Sequence, residues 1–254
     1  MLNTLLSILL LMFPSVLWAS PVALAGDEKY PLEFYTEIYP PTAYYENEQL
    51  TGYAVEAIQL IWDAIGQQKQ TINVVPWARG YRQLQIDAHT VLFPMSRSKQ
   101  REQQFKWAGP MLSQVYVLVS KKSIPSERTL AKNLYKNSFA IIRDDVTEEM
   151  LKAQSVKSII ESTDMEDAEK MLANGRIEIL AIALDGLKDI YKVDSTKQQQ
   201  YQVIATLGTT YDYIAFNKQV PDKVINQYQS AITLLNSKLN KLKEKYSLAI
   251  NQVR

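Results

Sequence analysis

Residues 93–110 read FPMSRSKQREQQFKWAGP and contain the change from apolar to polar sequence that decides the fold. The apolar run from Val91 to Met95 predicts a buried strand. The polar residues from Ser98 to Gln104 predict a helical turn directly after it. This stretch is therefore interpreted as a strand whose carboxyl end leads into a turn that carries serine and arginine side chains.

The alternation of strands and helices continues on both sides of this stretch. Apolar residues recur on one face from Gly52 to Ile65, which predicts a helix that ends at Gly66. The continuous apolar run from Ile177 to Leu184 predicts a strand buried on both faces. The pattern predicts an α/β protein with mostly parallel sheets flanked by helices. Further strands are predicted at 32–36, 72–75, 115–119, 139–142, 159–160, 201–206 and 213–216. Further helices are predicted at 79–86, 130–135, after Thr147, at 164–173 and 186–193, after Pro221 and at 238–250. Thr147 and Thr163 can each cap the helix that follows.

The composition excludes several functional classes. The 254 residues include 28 basic and 27 acidic side chains, whereas nucleic-acid binders usually carry a basic excess, so no nucleic-acid partner is expected. The absence of cysteine excludes disulfides, thiolate metal sites and a thiol nucleophile, and a single histidine argues against a histidine metal site or a serine-histidine triad. Glycine is scarce, which gives a dinucleotide fold little support. We predict no cofactor and no metal.

The first 25 residues have the pattern of a signal peptide. They contain no charged side chain, are apolar from Leu5 to Leu17, and end in Ala23-Leu24-Ala25, which fits the small-x-small cleavage pattern. The alternative is an uncleaved anchor over Leu5 to Ala25, which Pro14 disfavours. The sequence therefore predicts export to the periplasm, cleavage after Ala25 and no membrane insertion of the mature chain.

Several short segments follow one another in a characteristic order: Tyr39-Pro40-Pro41, Leu50-Thr51-Gly52-Tyr53, Pro76-Trp77-Ala78-Arg79, residues 93–102, Phe105-Lys106-Trp107-Ala108-Gly109-Pro110, Asn174-Gly175-Arg176 and Tyr213-Ile214-Ala215-Phe216. Together they resemble the extracellular solute-binding proteins of the polar amino-acid transporter type, family three. The resemblance covers nearly all of the mature chain and is more specific for the fold than for the ligand.

The resemblance implies a two-lobed periplasmic-binding-protein fold of type II with two hinge crossings. The crossings are expected near Met111 to Tyr116 and near Tyr211 to Ile214. Lobe one would comprise residues 27–111 plus 213–254, and lobe two residues 112–212. The ligand would lie in the cleft between the lobes, where hinge closure holds it. We expect a monomer.

The resemblance also implies a carboxylate-binding group formed by Ser96, Ser98 and Arg101. A guanidinium pairs with a carboxylate through two hydrogen bonds, which is the physical reason for the assignment. The alternative for Arg101 is a surface ion pair with Glu102 or another acid. Arg97 alternates with the two serines, so it is expected to point the other way.

Aromatic and basic side chains beside prolines are further candidates. Tyr39 and Trp77 each lie at a strand end, where an aromatic ring can form the wall of a cleft. The alternative for both is ordinary packing beneath the cleft. Arg79 could reach the same cleft, and a surface salt bridge is the alternative.

The predicted second lobe departs from the pattern of amino-acid binders. The acidic residue that holds a ligand ammonium would fall near Ala183, whereas Asp185 lies two residues later and needs a small change of register to serve. Asp144 and Asp145 occupy a turn where glycine and hydroxyl residues are expected; they could hold a cation or simply face solvent at a helix start. These departures put a plain α-amino acid in doubt.

The sequence thus favours a binding protein without chemistry that captures a small polar solute, an amino acid or a related carboxylate or amine, for a membrane permease. One alternative is a ligand-sensing module that has no part in transport. The other is a dehydratase-like enzyme on the same fold, for which Glu37 and Asp185 are the only carboxylates considered, and nothing in the sequence makes them a catalytic pair.

Overall fold

The computed structural model describes residues 30–125 and 137–248. The predicted signal peptide, the predicted helix at 130–135 and the end of the last predicted helix lie outside the described residues. Within those residues, no helix combines the length and the apolar character needed to cross a membrane.

The described chain contains strands and helices in alternation, as the sequence pattern predicts. The strands are β1 (Glu33–Thr36), β2 (Tyr44–Glu46), β3 (Gln49–Thr51), β4 (Ile72–Val74), β5 (Thr90–Arg97), β6 (Phe105–Lys121), β7 (Phe139–Ile142), β8 (Ile159–Ser162), β9 (Ile179–Ala183) and β10 (Tyr201–Asn217). The helices are α1 (Tyr53–Ala64), α2 (Trp77–Ile86), α3 (Val146–Ala153), α4 (Met165–Ala173), α5 (Leu184–Val193), α6 (Ser195–Gln200), α7 (Asp222–Leu234) and α8 (Asn236–Lys245).

Eight strands form one sheet in the order β4-β1-β5-β10-β6-β9-β7-β8. The outer pairs β1–β4, β1–β5, β7–β8 and β7–β9 are parallel. The central strands β10 and β6 pair with each other, and with β5 and β9 respectively, in antiparallel fashion. The sheet is therefore parallel on each side of an antiparallel centre. We call β4, β1 and β5 with α1, α2, α7 and α8 the first lobe, and β9, β7 and β8 with α3 to α6 the second lobe.

Two long strands run through both lobes. Strands β6 and β10 each contain 17 residues and pair along most of their length, with Tyr211 opposite Ser113 and Asp212 opposite Leu112. The predicted crossings lie in the middle of these strands. The sequence analysis was wrong in one respect, because it treated 201–206 and 213–216 as separate strands. The polar residues between them continue the strand, since the ladder to β6 pairs their backbone groups.

Each lobe has its own apolar core. In the first lobe Phe34, Trp62 and Phe93 are almost completely buried, and the rings of Phe34 and Trp62 meet edge to face at 4.8 Å. In the second lobe Phe139 and Ile179, both fully buried, belong to a cluster that also contains residues of β6 and β10. The long strands therefore contribute to the packing of the second lobe as well as linking the two lobes.

Two helices of the second lobe, α3 and α4, have N-caps that lie one or two residues away from the predicted ones. Asp145, rather than Thr147, caps α3, and its carboxylate accepts the backbone N–H of Thr147 at 3.0 Å. Asp164, rather than Thr163, caps α4 and accepts the N–H of Asp167. In both cases a carboxylate takes the capping position from a neighbouring hydroxyl, in line with the stronger preference for Asp over Thr at this position.

Candidate functional site

A small cavity lies where the two lobes meet the long strands. Its volume is about 40 Å³, well below the roughly 300–1,000 Å³ of a typical ligand site. The lobes are therefore closed against each other in this structure, and the cavity can admit a solute only when they separate. We call it the inner cavity; it is lined by Glu37, Tyr39, Thr42, Trp77, Pro94, Ser96, Gln114, Tyr116, Asp145, Ala183 and Asp212.

Three carboxylates from different elements face the inner cavity. Glu37 follows β1, Asp145 caps α3, and Asp212 lies on β10. Burial raises the pKa of Asp212 to about 6, and burial together with the charges of Asp145 and Asp164 raises the pKa of Glu37 well above its ordinary value. The charge of Asp145 thus raises the pKa of both other carboxyl groups, and a positive charge placed among the three would favour their ionised forms.

Hydrogen bonds around Ser96 fix the position of Asp212. The Ser96 hydroxyl donates to Asp212 Oδ1 at 2.6 Å and lies within 3.0 Å of the hydroxyls of both Tyr116 and Thr210. Because Ser96 has one proton and gives it to Asp212, the other two hydroxyls donate to Ser96. The Gln114 side chain also lies beside Asp212 and lowers its pKa, so its amide nitrogen faces the carboxylate. The carboxylate is thus held by side chains of β5 and β6.

The side-chain carbonyl oxygen of Gln114 has no hydrogen-bond donor among the described residues. Gln114 is 4% exposed and lines the inner cavity, and its Oε1 has no hydrogen-bond partner among the described residues. A buried acceptor without a donor is costly, so such groups are rare and call for an explanation. A ligand N–H or O–H in the cavity would satisfy it.

Aromatic side chains contact the second lobe directly. The Trp77 indole N–H donates to the Asp144 carbonyl at 3.0 Å, and the Ala183 N–H donates to the Tyr39 hydroxyl oxygen at 3.2 Å. Burial raises the pKa values of both Tyr39 and Tyr116 well above the ordinary value, so both phenols are neutral at physiological pH. Tyr39 and Trp77 therefore both line the inner cavity and link the lobes.

Arg101 also links the lobes. It is 1% exposed, and its guanidinium donates to Glu149 Oε1 at 2.6 Å, the Asp144 carbonyl at 2.8 Å and the Ser96 carbonyl at 3.3 Å. The rings of Tyr81 and Trp77 lie 5.2 and 6.0 Å from its central carbon. All three guanidinium nitrogens are engaged, and Arg101 is not among the residues that line the inner cavity.

The remaining predicted site residues lie elsewhere. Ser98 accepts the N–H of Arg101 and so shapes the turn, while Arg79 is exposed on α2. Asp185 is 8% exposed in the first turn of α5 and pairs with Lys188 at 2.8 Å. It lines a separate surface recess, together with Lys245, rather than the inner cavity. The structure thus brings Tyr39, Trp77 and Ser96 to one cavity and leaves Arg79, Ser98, Arg101 and Asp185 outside its lining.

Several residues that line the inner cavity were not sequence candidates for ligand binding: Thr42, Gln114, Tyr116, Asp212, and Glu37, which had been considered only as a catalytic acid. Asp145 had been considered, as one of two aspartates that could hold a cation. Gln114 and Asp212 fall within the stretches predicted as crossings, and a polar side chain within a crossing was the available signal.

A larger groove adjoins the inner cavity and shares Glu37 and Tyr39 with it. Its volume is about 640 Å³, and both lobes contribute to it. Its charged lining residues are five acids and one lysine: Glu37, Asp164, Glu166, Glu169, Asp189 and Lys197. We call it the outer groove. Among the described residues, no group of three or more His, Cys, Asp or Glu side chains is arranged to hold a metal ion.

The sequence matches the family of bacterial extracellular solute-binding proteins, family 3, over residues 34–249. The match covers most of the chain, so the chain belongs to this family. The predicted type of fold, the α/β periplasmic-binding-protein fold, is confirmed by this match. No curated protein sequence matches the chain.

Solved structures of similar fold have low sequence identity to this chain. One is the arginine-, lysine-, histidine-binding protein of Geobacillus stearothermophilus, with 16% identity, a TM-score of 0.74 and coverage of 84% of this chain and 94% of that one. Another is the GluR0 ligand-binding core of Nostoc punctiforme in complex with L-glutamate (17%, TM-score 0.71, 85% and 99%). A third is a histidine kinase sensor domain with similarity to periplasmic binding proteins (17%, TM-score 0.75, 85% and 96%). At such identities these structures show that the chain shares their fold.

Proposed function

We propose that this protein captures a small polar solute between its two lobes in the periplasm and delivers it to a membrane transporter. Membership of an extracellular solute-binding family supports the binding role. The observation that carries the proposal is the inner cavity, whose polar and aromatic lining comes from both lobes and from both long strands.

Closure of the lobes explains how such a cavity can retain a solute. A ligand drives closure only if it binds the closed state better than the open one. Tyr39 and Trp77 from the first lobe and Asp145 and Ala183 from the second contact a solute together only when the lobes are closed. The closed state therefore offers contacts that the open state lacks.

A sensing role is the second candidate, and the similarity to a histidine kinase sensor domain favours it. Both roles require the same capture step and differ in the partner that recognises the closed form. In a deletion strain, loss of uptake of the labelled solute would support transport, whereas intact uptake with a lost transcriptional response would support sensing.

The capture step is tested by screening the exported protein for thermal stabilisation by amines, amino acids, small carboxylates and sugars. A ligand present at 100 times its dissociation constant stabilises the folded state by about 2.7 kcal/mol. The ligand found in the screen should no longer bind to Ala183→Leu, because the larger side chain fills the inner cavity. It should still bind to Ala173→Leu, where the same change is made at an exposed position on α4. The unfolding midpoint of each variant confirms that it folds. Equal binding by both folded variants, or chemical turnover of the hit, would contradict the proposal.

A further inference from the structure

The electrostatics of the inner cavity favour a positively charged ligand. Glu37, Asp145 and Asp212 face it, and no lysine, arginine or histidine is among the residues that line it. The outer groove, which shares Glu37 and Tyr39 with the inner cavity, is acidic as well. A cleft lined by one sign of charge raises the local concentration of ligands of the opposite sign.

The free acceptor of Gln114 is independent evidence that a hydrogen-bond donor belongs in the cavity. Its Oε1 is buried and unpartnered among the described residues, while its amide nitrogen faces Asp212. An ammonium or guanidinium group offers several N–H donors at one point. One such group could therefore satisfy Gln114 and a neighbouring carboxylate together.

The aromatic lining also favours a cationic ligand. Tyr39, Trp77 and Tyr116 bring aromatic rings to the inner cavity. A cation over an aromatic face is stabilised, most of all by tryptophan and most strongly where water is excluded.

A ligand carboxylate has no partner in this cleft. Arg101, the buried arginine nearest to the cavity residues, already donates to Glu149, to Asp144 and to Ser96. It does not line the inner cavity, and three of its five N–H donors are already used, so a carboxylate in the cavity has no direct contact with it. Within the inner cavity a carboxylate would meet the acidic side chains of Glu37, Asp145 and Asp212 and no basic side chain.

From these observations we infer that the cleft binds an organic cation that carries no carboxylate, of the primary amine or guanidinium class. The inference rests on the proposed function and specifies its ligand. It departs from the expectation of an amino acid held through Arg101.

Matched ligand pairs test the inference, because each pair differs only in the carboxylate. Binding of agmatine against arginine, and of cadaverine against lysine, is measured by calorimetry on the exported protein at pH 7.5. We expect the member without a carboxylate to bind about 100-fold more tightly, since like charges brought together in a buried site cost several kcal/mol. Amino acids that bind as tightly as the amines, or a small dicarboxylate that binds at all, would overturn the inference and leave the proposed function intact. Binding of Mg²⁺ or Ca²⁺ in competition with agmatine would overturn it too. If no compound in these pairs or in the wider screen binds, the proposed function itself fails.

The chain provides a closely matched pair of variants. Asp145 and Asp194 both cap helices, and each accepts the N–H and the hydroxyl of the threonine two residues later, at 3.0 and 2.6 Å. Asparagine caps helices as well as aspartate does, so both variants should fold. Asp145→Asn should weaken agmatine binding about 10-fold or more, through loss of a charge-assisted contact, whereas Asp194→Asn should change it less than about 2-fold. Glu37→Gln is a second cavity variant with the same expected loss. Equal affinities in Asp145→Asn, Glu37→Gln and Asp194→Asn would refute the assignment.

Discussion

Replacing Asp212 by asparagine should stabilise the protein without ligand at alkaline pH. The Asp212 side chain is 4% exposed, and burial raises its pKa to about 6. Its ionised form is therefore less stable in the folded protein than in the unfolded chain. Asparagine occupies nearly the same volume and carries no charge. It can still accept from Ser96, and Gln114 can turn its amide over to match the new donor.

The size of the effect follows from the two pKa values. The folded value of about 6 and the ordinary value of 3.8 correspond to a difference of about 3 kcal/mol in ionisation free energy. Below pH 3.8 both states bind the proton, so Asp212 contributes no pH dependence. Between about pH 4 and pH 6 the unfolded chain loses the proton first, so stability falls with rising pH, and the loss is complete above about pH 6. A weaker hydrogen bond from Ser96 to the amide offsets about 1 kcal/mol, which leaves a net gain of about 2 kcal/mol at pH 8.

Urea unfolding of the wild type and Asp212→Asn at pH 4 and pH 8 measures this effect. Other titrating groups are shared by the two proteins and cancel in the difference, provided that the denaturant slope is unchanged. We expect the stability difference to shift in favour of the variant by about 2.5 kcal/mol between the two pH values, because the unfolded chain is already partly ionised at pH 4. A variant less stable than the wild type at pH 8, or a difference that does not change with pH, would refute this account of the buried carboxylate.

Three further predictions concern the closed cleft. Agmatine binding should weaken as the pH falls below about 6, because protonated Asp212 offers the cation no charge. Calorimetry at pH 8 and pH 5 should show a smaller loss of agmatine affinity in Asp212→Asn than in the wild type. Glu149→Ala leaves the Arg101 charge buried and unpaired and should lower the free energy of unfolding by about 3 kcal/mol, whereas Lys170→Ala, which breaks an exposed helical ion pair, should lower it by less than about 1 kcal/mol; equal urea midpoints would contradict this. Gly186→Ala places a Cβ 2.8 Å from the Tyr39 hydroxyl oxygen and should cost about 1–3 kcal/mol, more than Gly208→Ala, whose Cβ meets only the flexible end of a methionine side chain; thermal unfolding that ranks the two in the opposite order would show that Tyr39 moves aside freely.

The fold could be predicted from local sequence because its signals are local. The apolar spacing between Gly52 and Ile65 predicts helix α1, observed over Tyr53–Ala64, and the run 139–142 is observed as strand β7 with the same bounds. The length of β10 could not be predicted this way. Its central residues are polar, and they remain in the strand because β6, 84 or more residues earlier in the chain, pairs with their backbone.

The candidate site was predictable only in part, because it too depends on residues that are distant in the sequence. Tyr39, Trp77 and Ser96 stand at strand ends or beside prolines, where sequence position alone suggests a cleft. The net charge of the cleft depends on Glu37, Asp145 and Asp212, which lie far apart in the sequence, and on which charges neutralise each other across the lobes. Asp145 was expected either to hold a cation or to face solvent at a helix start. It does cap α3, and it also lies close enough to Asp212 to raise the pKa of that carboxyl group.

Arg101 shows how one contact in the folded protein can change the role that the sequence suggests for a residue. In the sequence, an arginine three residues after Ser98 is suited to a ligand carboxylate because a guanidinium binds such a group in a planar, two-point manner. In the folded protein the carboxylate that meets it is Glu149, which belongs to the protein itself. A ligand carboxylate that took the place of Glu149 would leave that acid unpaired, so it would gain little over the existing pair. The same ion pair joins the two lobes, so it stabilises the closed state even before a solute contributes. A cation among Glu37, Asp145 and Asp212 adds to that closure without competing for Arg101, and this is the physical reason to expect an amine rather than an amino acid.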